Sequence, residues 1–204
     1  VSSAVNRDRV RSTRELLLCT TITKSGYLLG RFFASMATAF LCISTVAPAI
    51  AIASAMPWQD PSYVTSFQLI PYIIGLGAFL FPSVFVVGAI MFCVTTLTRS
   101  ALLGYVAMIA LIALWIVAKA FSGDFDTHTY AALGDPFGIG PFKLATRYWT
   151  VAERNSQNPF PLGIVLANRV LWMLIGCGFL GLTWARFRLA LVRPSGIFRR
   201  ISLD

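Results

Sequence analysis

Charge is scarce in this 204-residue sequence: 12% of its residues are Asp, Glu, Lys or Arg, and long stretches carry none. A soluble domain must wet its surface and rarely goes far above half apolar, whereas 57% of this chain is hydrophobic. Lipid rather than water is therefore the expected main solvent. Histidine is scarcer still: the single His128 has only Asp124 and Asp126 nearby, too few ligands for a usual zinc set and no basis for a serine triad. Neither a G-x-x-x-x-G-K-[ST] loop nor an H-E-x-x-H run occurs, so ATP binding through a phosphate-cradling loop and zincin chemistry are both excluded. The four cysteines, Cys19, Cys42, Cys93 and Cys177, show no close pairing, and neither a disulfide nor a metal site is expected from them. Acidic residues are absent from every long apolar run, which leaves a proton or cation relay nothing to run on. The chain is thus expected to have no catalytic, cofactor-binding or metal site of its own.

What is present is hydrophobic length. A spanning helix needs about 20 predominantly apolar residues, and four runs qualify: 32–56, 67–97, 101–121 and 162–187. The second contains Pro71 and Pro82, which should kink or break it. The expected fold class is all-α: a polytopic helical membrane protein with four transmembrane helices. Ala47, Ala51 and Ala55 recur at four-residue spacing in the first run, a small-residue face that suits close packing within the chain better than a dimer seam.

Basic residues outnumber acidic ones, 17 to 8, for a net charge of +9. They cluster beside apolar runs instead of forming a stripe interleaved with aromatics, so nucleic acid is not an expected partner. Arg7, Arg9, Arg11, Arg14, Lys24 and Arg31 precede the first run, Arg99 lies between the second and third, Arg186 closes the fourth, and Arg188, Arg193, Arg199 and Arg200 follow it. Four crossings put these three segments on one face, and the positive-inside rule makes that face cytoplasmic. Residues 1–31 then form a cytoplasmic, interfacial segment, and 188–204 a basic cytoplasmic tail that meets membrane lipid.

The opposite face holds the loop 122–161, too long to be a bare connection. Phe142, Ala145, Thr146 and Trp149 follow helical spacing, and Thr150-Val151-Ala152-Glu153 has the form of a capping box. One or two short helices on the outer leaflet are expected, with a folded cap packed on the spans as the close rival. Arg169 falls about two turns into the fourth run, where a charge is costly. Snorkelling toward the loop, to Glu153 or Asp135, is the favoured account of Arg169 and its neighbour Asn168; a substrate pathway involving them and Trp149 is the minority one.

The order of these features resembles the permeases of ABC-2 type transporters. Arg9-Val10-Arg11-Ser12-Thr13-Arg14-Glu15, then Leu16-Leu17-Leu18, then Tyr27-Leu28-Leu29-Gly30-Arg31-Phe32 looks like their cytoplasmic coupling segment. Met56-Pro57-Trp58-Gln59-Asp60-Pro61, Leu97-Thr98-Arg99-Ser100, Ala132-Leu133-Gly134-Asp135-Pro136-Phe137-Gly138, 145–155 and Asn168-Arg169-Val170-Leu171-Trp172 resemble a bacterial subgroup often joined to an M1-family aminopeptidase-like domain. Ser12 stands where the family has Gly, and the family's Pro is missing near Thr21. The resemblance implies a fragment holding the last four of six spans, set in a bacterial cytoplasmic (inner) membrane and paired with a second permease unit. It also implies that an ABC ATPase (nucleotide-binding) subunit, which binds the ATP, docks near Arg11, Arg14, Glu15, Tyr27 and Arg31. The resemblance also implies an exporter; the alternative is a non-transporting membrane anchor for a peptidase-like domain.

Overall fold

The computed structural model of the chain describes residues 23–57, 67–121, 128–157 and 163–187. Four helices in it are long and apolar enough to cross a membrane, and every regular element among the described residues is helical. The protein is an all-α, multi-pass membrane protein.

The first span begins earlier than its charge pattern predicts. Helix α1 covers Lys24–Ser44 and α2 covers Val46–Ser54, against an expected start at residue 32. Thr23 sets the start, because its side-chain oxygen accepts the Gly26 N–H at 3.2 Å and satisfies one orphan donor of the first turn. Lys24 does not oppose this position, since its ammonium lies 4.7 Å from the Trp184 ring at the bundle end. Residues 24–31 are therefore the first two turns of the helix that continues as the first span, instead of a separate helix. The 31 residues of Lys24–Ser54 reach about 46 Å at 1.5 Å per residue, well beyond a hydrocarbon core of about 30 Å. The α1–α2 junction falls at Thr45, four residues after Leu41 and three before Pro48, which has no N–H to give the Ser44 carbonyl.

The second span runs from Leu69 to Thr98 as α3 (Leu69–Ile74), a π-helical segment (Gly75–Leu80) and α4 (Phe81–Thr98). Its prolines are absorbed without a break. Pro71 sits in the first turn, where no N–H is needed. Ahead of Pro82 the backbone widens, with the Phe81 N–H reaching the Leu76 carbonyl five residues back. A two-residue turn through Arg99, in the left-handed region at φ 59°, leads to α5 (Ala101–Phe121). Three short helices follow, α6 (His128–Leu133), α7 (Ile139–Ala145) and α8 (Val151–Ser156), and then the last span, α9 (Gly163–Arg186).

Helix α4 is the hub, packing on α9, α5 and α1. Lipid tails supply little hydrophobic drive between helices, so close fit has to hold them together. Gly176 on α9 provides it: a Cβ there would lie 2.8 Å from Phe85 Cε1. Phe32 then meets Phe85 and Phe92 edge-on at 5.7 and 5.6 Å, and Val86 and Ala89 are fully enclosed. Buried hydroxyls mostly bond their own helix, Thr95 to the Met91 carbonyl and Thr183 to that of Phe179. Outside this hub the helices present exposed apolar side chains, such as Leu41, Ile52, Leu102 and Ile109. α2 buries no residue fully: Ala47 and Ala51, of the expected small-residue face, are half-buried, and Ala55 just past the helix is exposed.

Contacts fix the ends of the bundle. Tyr27 stacks on Phe187 at 6.2 Å, and Trp184 donates to the Ser25 hydroxyl at 3.0 Å, so the start of α1 and the end of α9 share one end. The short helices sit at the other, where Phe142 meets Phe79 and Phe137 meets Trp115.

Candidate functional site: the capped end of the bundle

Helices α6 and α7 are a folded cap seated on α5 and α9, the rival to the favoured expectation of helices lying in the leaflet. What seats them is hydrogen bonding. A short helix ends with carbonyls that have no partner within it, and those of α6 are met by α9. The Asn168 amide nitrogen donates to the carbonyls of Ala132, Leu133 and Asp135, each at 3.0 Å. The Trp172 indole N–H donates to the Leu133 carbonyl as well, at 3.0 Å. Asn168 is fully buried, so these bonds form away from bulk water, where an unmet carbonyl is expensive.

Arg169 closes the same knot. Its Nε and Nη2 donate to Asn168 Oδ1 at 3.0 and 2.6 Å, and its Nη1 to the Ser83 hydroxyl at 3.2 Å. Phe79 lies beneath the guanidinium at 6.0 Å. The nearby Asp135 carboxylate provides the opposing charge. The residue lies six positions after Gly163, about 9 Å below the start of α9 at 1.5 Å per residue. It does not snorkel to Glu153, as one expectation held; it is 4% exposed and held among fixed acceptors. Gly138 makes room for it. At φ 78° it occupies the left-handed region, and any Cβ there would strike the guanidinium.

Asp135 organises the cap from within. Its two carboxylate oxygens accept the Phe137 N–H at 2.8 Å and the Gly140 N–H at 2.6 Å, which fixes the turn into α7. Helix α7 thus starts at Ile139, three residues after Pro136. Glu153 has a separate task. Thr150 Oγ1 accepts the Glu153 N–H at 3.3 Å while Glu153 Oε2 accepts the Thr150 N–H at 2.7 Å, the capping box read from the sequence. These bonds to Thr150 hold the Glu153 carboxyl below its ordinary range. Trp149 is half-buried, with its backbone N–H on the Thr146 carbonyl at 3.2 Å. Asn168 and Arg169 are therefore brought together; Glu153 and Trp149 are not joined to them by any bond described here.

Beside the knot, between α5 and the cap, opens a cavity of about 440 Å³ lined in part by Trp115, Lys119, Asp135, Lys143 and Arg147. Its basic members went unassigned in the sequence reading; the one signal was Lys119 at the end of an apolar run. Of the coupling residues, Tyr27 and Arg31 lie half-buried in the first turns of α1, at the end away from the cap. Arg11, Arg14 and Glu15 fall outside the described residues. Comparison with protein-family models, curated proteins and solved structures gives no match.

Proposed function

We propose that the chain is the membrane-spanning permease part of an ABC-2 type, ATP-driven exporter of the bacterial cytoplasmic membrane, powered by a separate nucleotide-binding subunit. The observation that carries this reading is the coupling-like sequence 9–32, which runs directly into α1 at the bundle end where Tyr27 stacks on Phe187. That end adjoins the arginine-rich flanks of the sequence and is taken as cytoplasmic by the positive-inside rule. An ATPase docked on Arg14 and Glu15, which precede α1 in the sequence, would bias a two-state membrane domain. A second permease unit would complete the path, and the lipid-exposed faces of α2 and α5 leave room for it.

Co-purification with an ATPase subunit tests the assignment. The complex is expected to form and to drive transport with the native sequence, and charge reversal by R14E and E15R is expected to uncouple hydrolysis from transport. Intact complex and intact ATP-driven transport in the reversed variant would remove the docking assignment. An anchor would instead leave ATP hydrolysis by the subunit unchanged on association. Sidedness is tested separately in a cysteine-free background: a cysteine at Gln157 should react with an impermeant thiol reagent on intact cells, and one at Thr98 should not.

A further inference from the structure

We infer that the π-helical segment Gly75–Leu80 is a swivel about which the outer arm of the second span, Leu69–Ile74, turns relative to the cap. The inference needs only this span and the cap, and it stands apart from the transporter reading. Pro82 sets the choice of backbone path. On an unbroken α-helical path its ring would press on the Ala78 carbonyl and leave that carbonyl without a donor. The wider path avoids the clash, with the Phe81 N–H on the Leu76 carbonyl, yet π-helical backbone is itself disfavoured and rare. Each path carries a penalty, so contacts outside the helix can decide between them.

Those contacts converge on one side chain. Phe79, inside the segment, meets Phe142 of α7 edge-on at 5.8 Å and lies 6.0 Å from the Arg169 guanidinium of α9. The arm itself is loosely held. No residue of α3 or of the π-helical segment is buried, and Leu69, Ile70 and Ile73 are exposed. At Gly75 and Gly77 an added Cβ would find nothing within 4 Å, so no neighbour blocks a turn on that side. The far side of the pivot is firm: Phe81 meets Phe40 of α1 at 6.1 Å, and Pro82 and Phe85 are buried. A π turn holds one residue more than the α-helix it replaces. Conversion would therefore turn the arm by about 100° and advance it by about 1.5 Å. Phe79 turns with it and leaves both partners, so the seated cap latches the π form and an unseated cap releases it.

The test is a nitroxide scan along 69–97 of the full chain in bilayer discs, in a cysteine-free background, with oxygen collision rates reporting the helical phase of accessibility. The native chain is expected to show one phase over 84–97 and another, offset by the π turn, over 69–74. P82A removes the ring and gives the Ala78 carbonyl a donor, and should turn the phase of the arm by about 100°, one residue of register. F142A removes the latch from the cap side with the second span unaltered, and should turn the arm the same way. F67A removes a ring pair that lies beside the pivot and moves as one body, Phe67 with Tyr72 at 5.6 Å, and should leave the phase unchanged. An arm already in α-helical phase in the native chain would overturn the inference, as would an unchanged phase in P82A or F142A. An equal turn in F67A, or an arm without periodicity in P82A and F142A, would overturn it too.

Discussion

Replacing Asn168 by leucine keeps roughly the same volume and removes every polar contact of the side chain, which makes it the sharpest probe of the cap. Two of the three carbonyls it serves keep another donor. That of Ala132 still receives the Asp135 N–H at 3.3 Å, and that of Leu133 still receives the Trp172 indole at 3.0 Å. The loss falls on the Asp135 carbonyl and on the Nε and Nη2 of Arg169, which give up Asn168 Oδ1. Interhelical polar contacts in a bilayer are worth roughly 0.6–1.7 kcal/mol each, so three orphaned groups come to about 2–5 kcal/mol. W172F removes one such contact and should cost about 0.6–1.7 kcal/mol on the same scale. N168L/R169M should cost less than the sum of its parts, because it removes the charge that N168L alone leaves buried and poorly matched. Reversible unfolding in mixed micelles gives the energies, and amide exchange over 128–145 shows whether the loss is local to the cap. An N168L cost no greater than that of W172F, or strict additivity in the double variant, would refute the assignment of this side chain as the cap's anchor.

Glycine substitutions should split by sign in the same unfolding assay. G138A must place a Cβ against the Arg169 guanidinium at φ 78°, and the backbone term alone costs about 1–2 kcal/mol. G176A drives a Cβ to 2.8 Å from Phe85 and should weaken the α4–α9 seam, whereas at Gly178, two residues on, nothing lies within 4 Å; G178A should be neutral or stabilising by up to about 1 kcal/mol. For Glu153 the folded-state pKa is depressed, so the capping box contributes above the ordinary glutamate range and is lost as pH falls through the lowered value. Carboxyl titration by NMR should give a midpoint below that of an unperturbed glutamate, and T150A should raise it.

Much of this fold was legible because its determinants are local or compositional. Uncharged length located the four spans, and the capping box was readable because Thr150 and Glu153 are three residues apart and satisfy each other. The start of α1 was misplaced because Arg31 and Lys24 were read as ending the apolar run, whereas Thr23 opens the helix and Lys24 lies over Trp184. Arg169 resisted reading for a different reason. Its acceptors are its own neighbour and Ser83, 86 residues away, and no spacing rule joins those. The choice between leaflet helices and a packed cap likewise rested on Asn168 and Trp172 reaching back across 33 to 39 residues. The cavity is least legible of all, since its cations come from α5 and from the cap and only the tertiary fold brings them together.

The order of elements along the chain has a consequence for biogenesis. Helices α6 and α7 leave the ribosome before α9, which carries both the amide and the indole that tie down their carbonyls. Until α9 enters the bilayer, the carbonyls of Leu133 and Asp135 lack the donors that tie the cap to the bundle. The same late arrival supplies Gly176 to the hub, so one insertion event both seals the hydrophobic seam and sets the polar lid. Assembly of this bundle and its cap thereby waits on the arrival of α9.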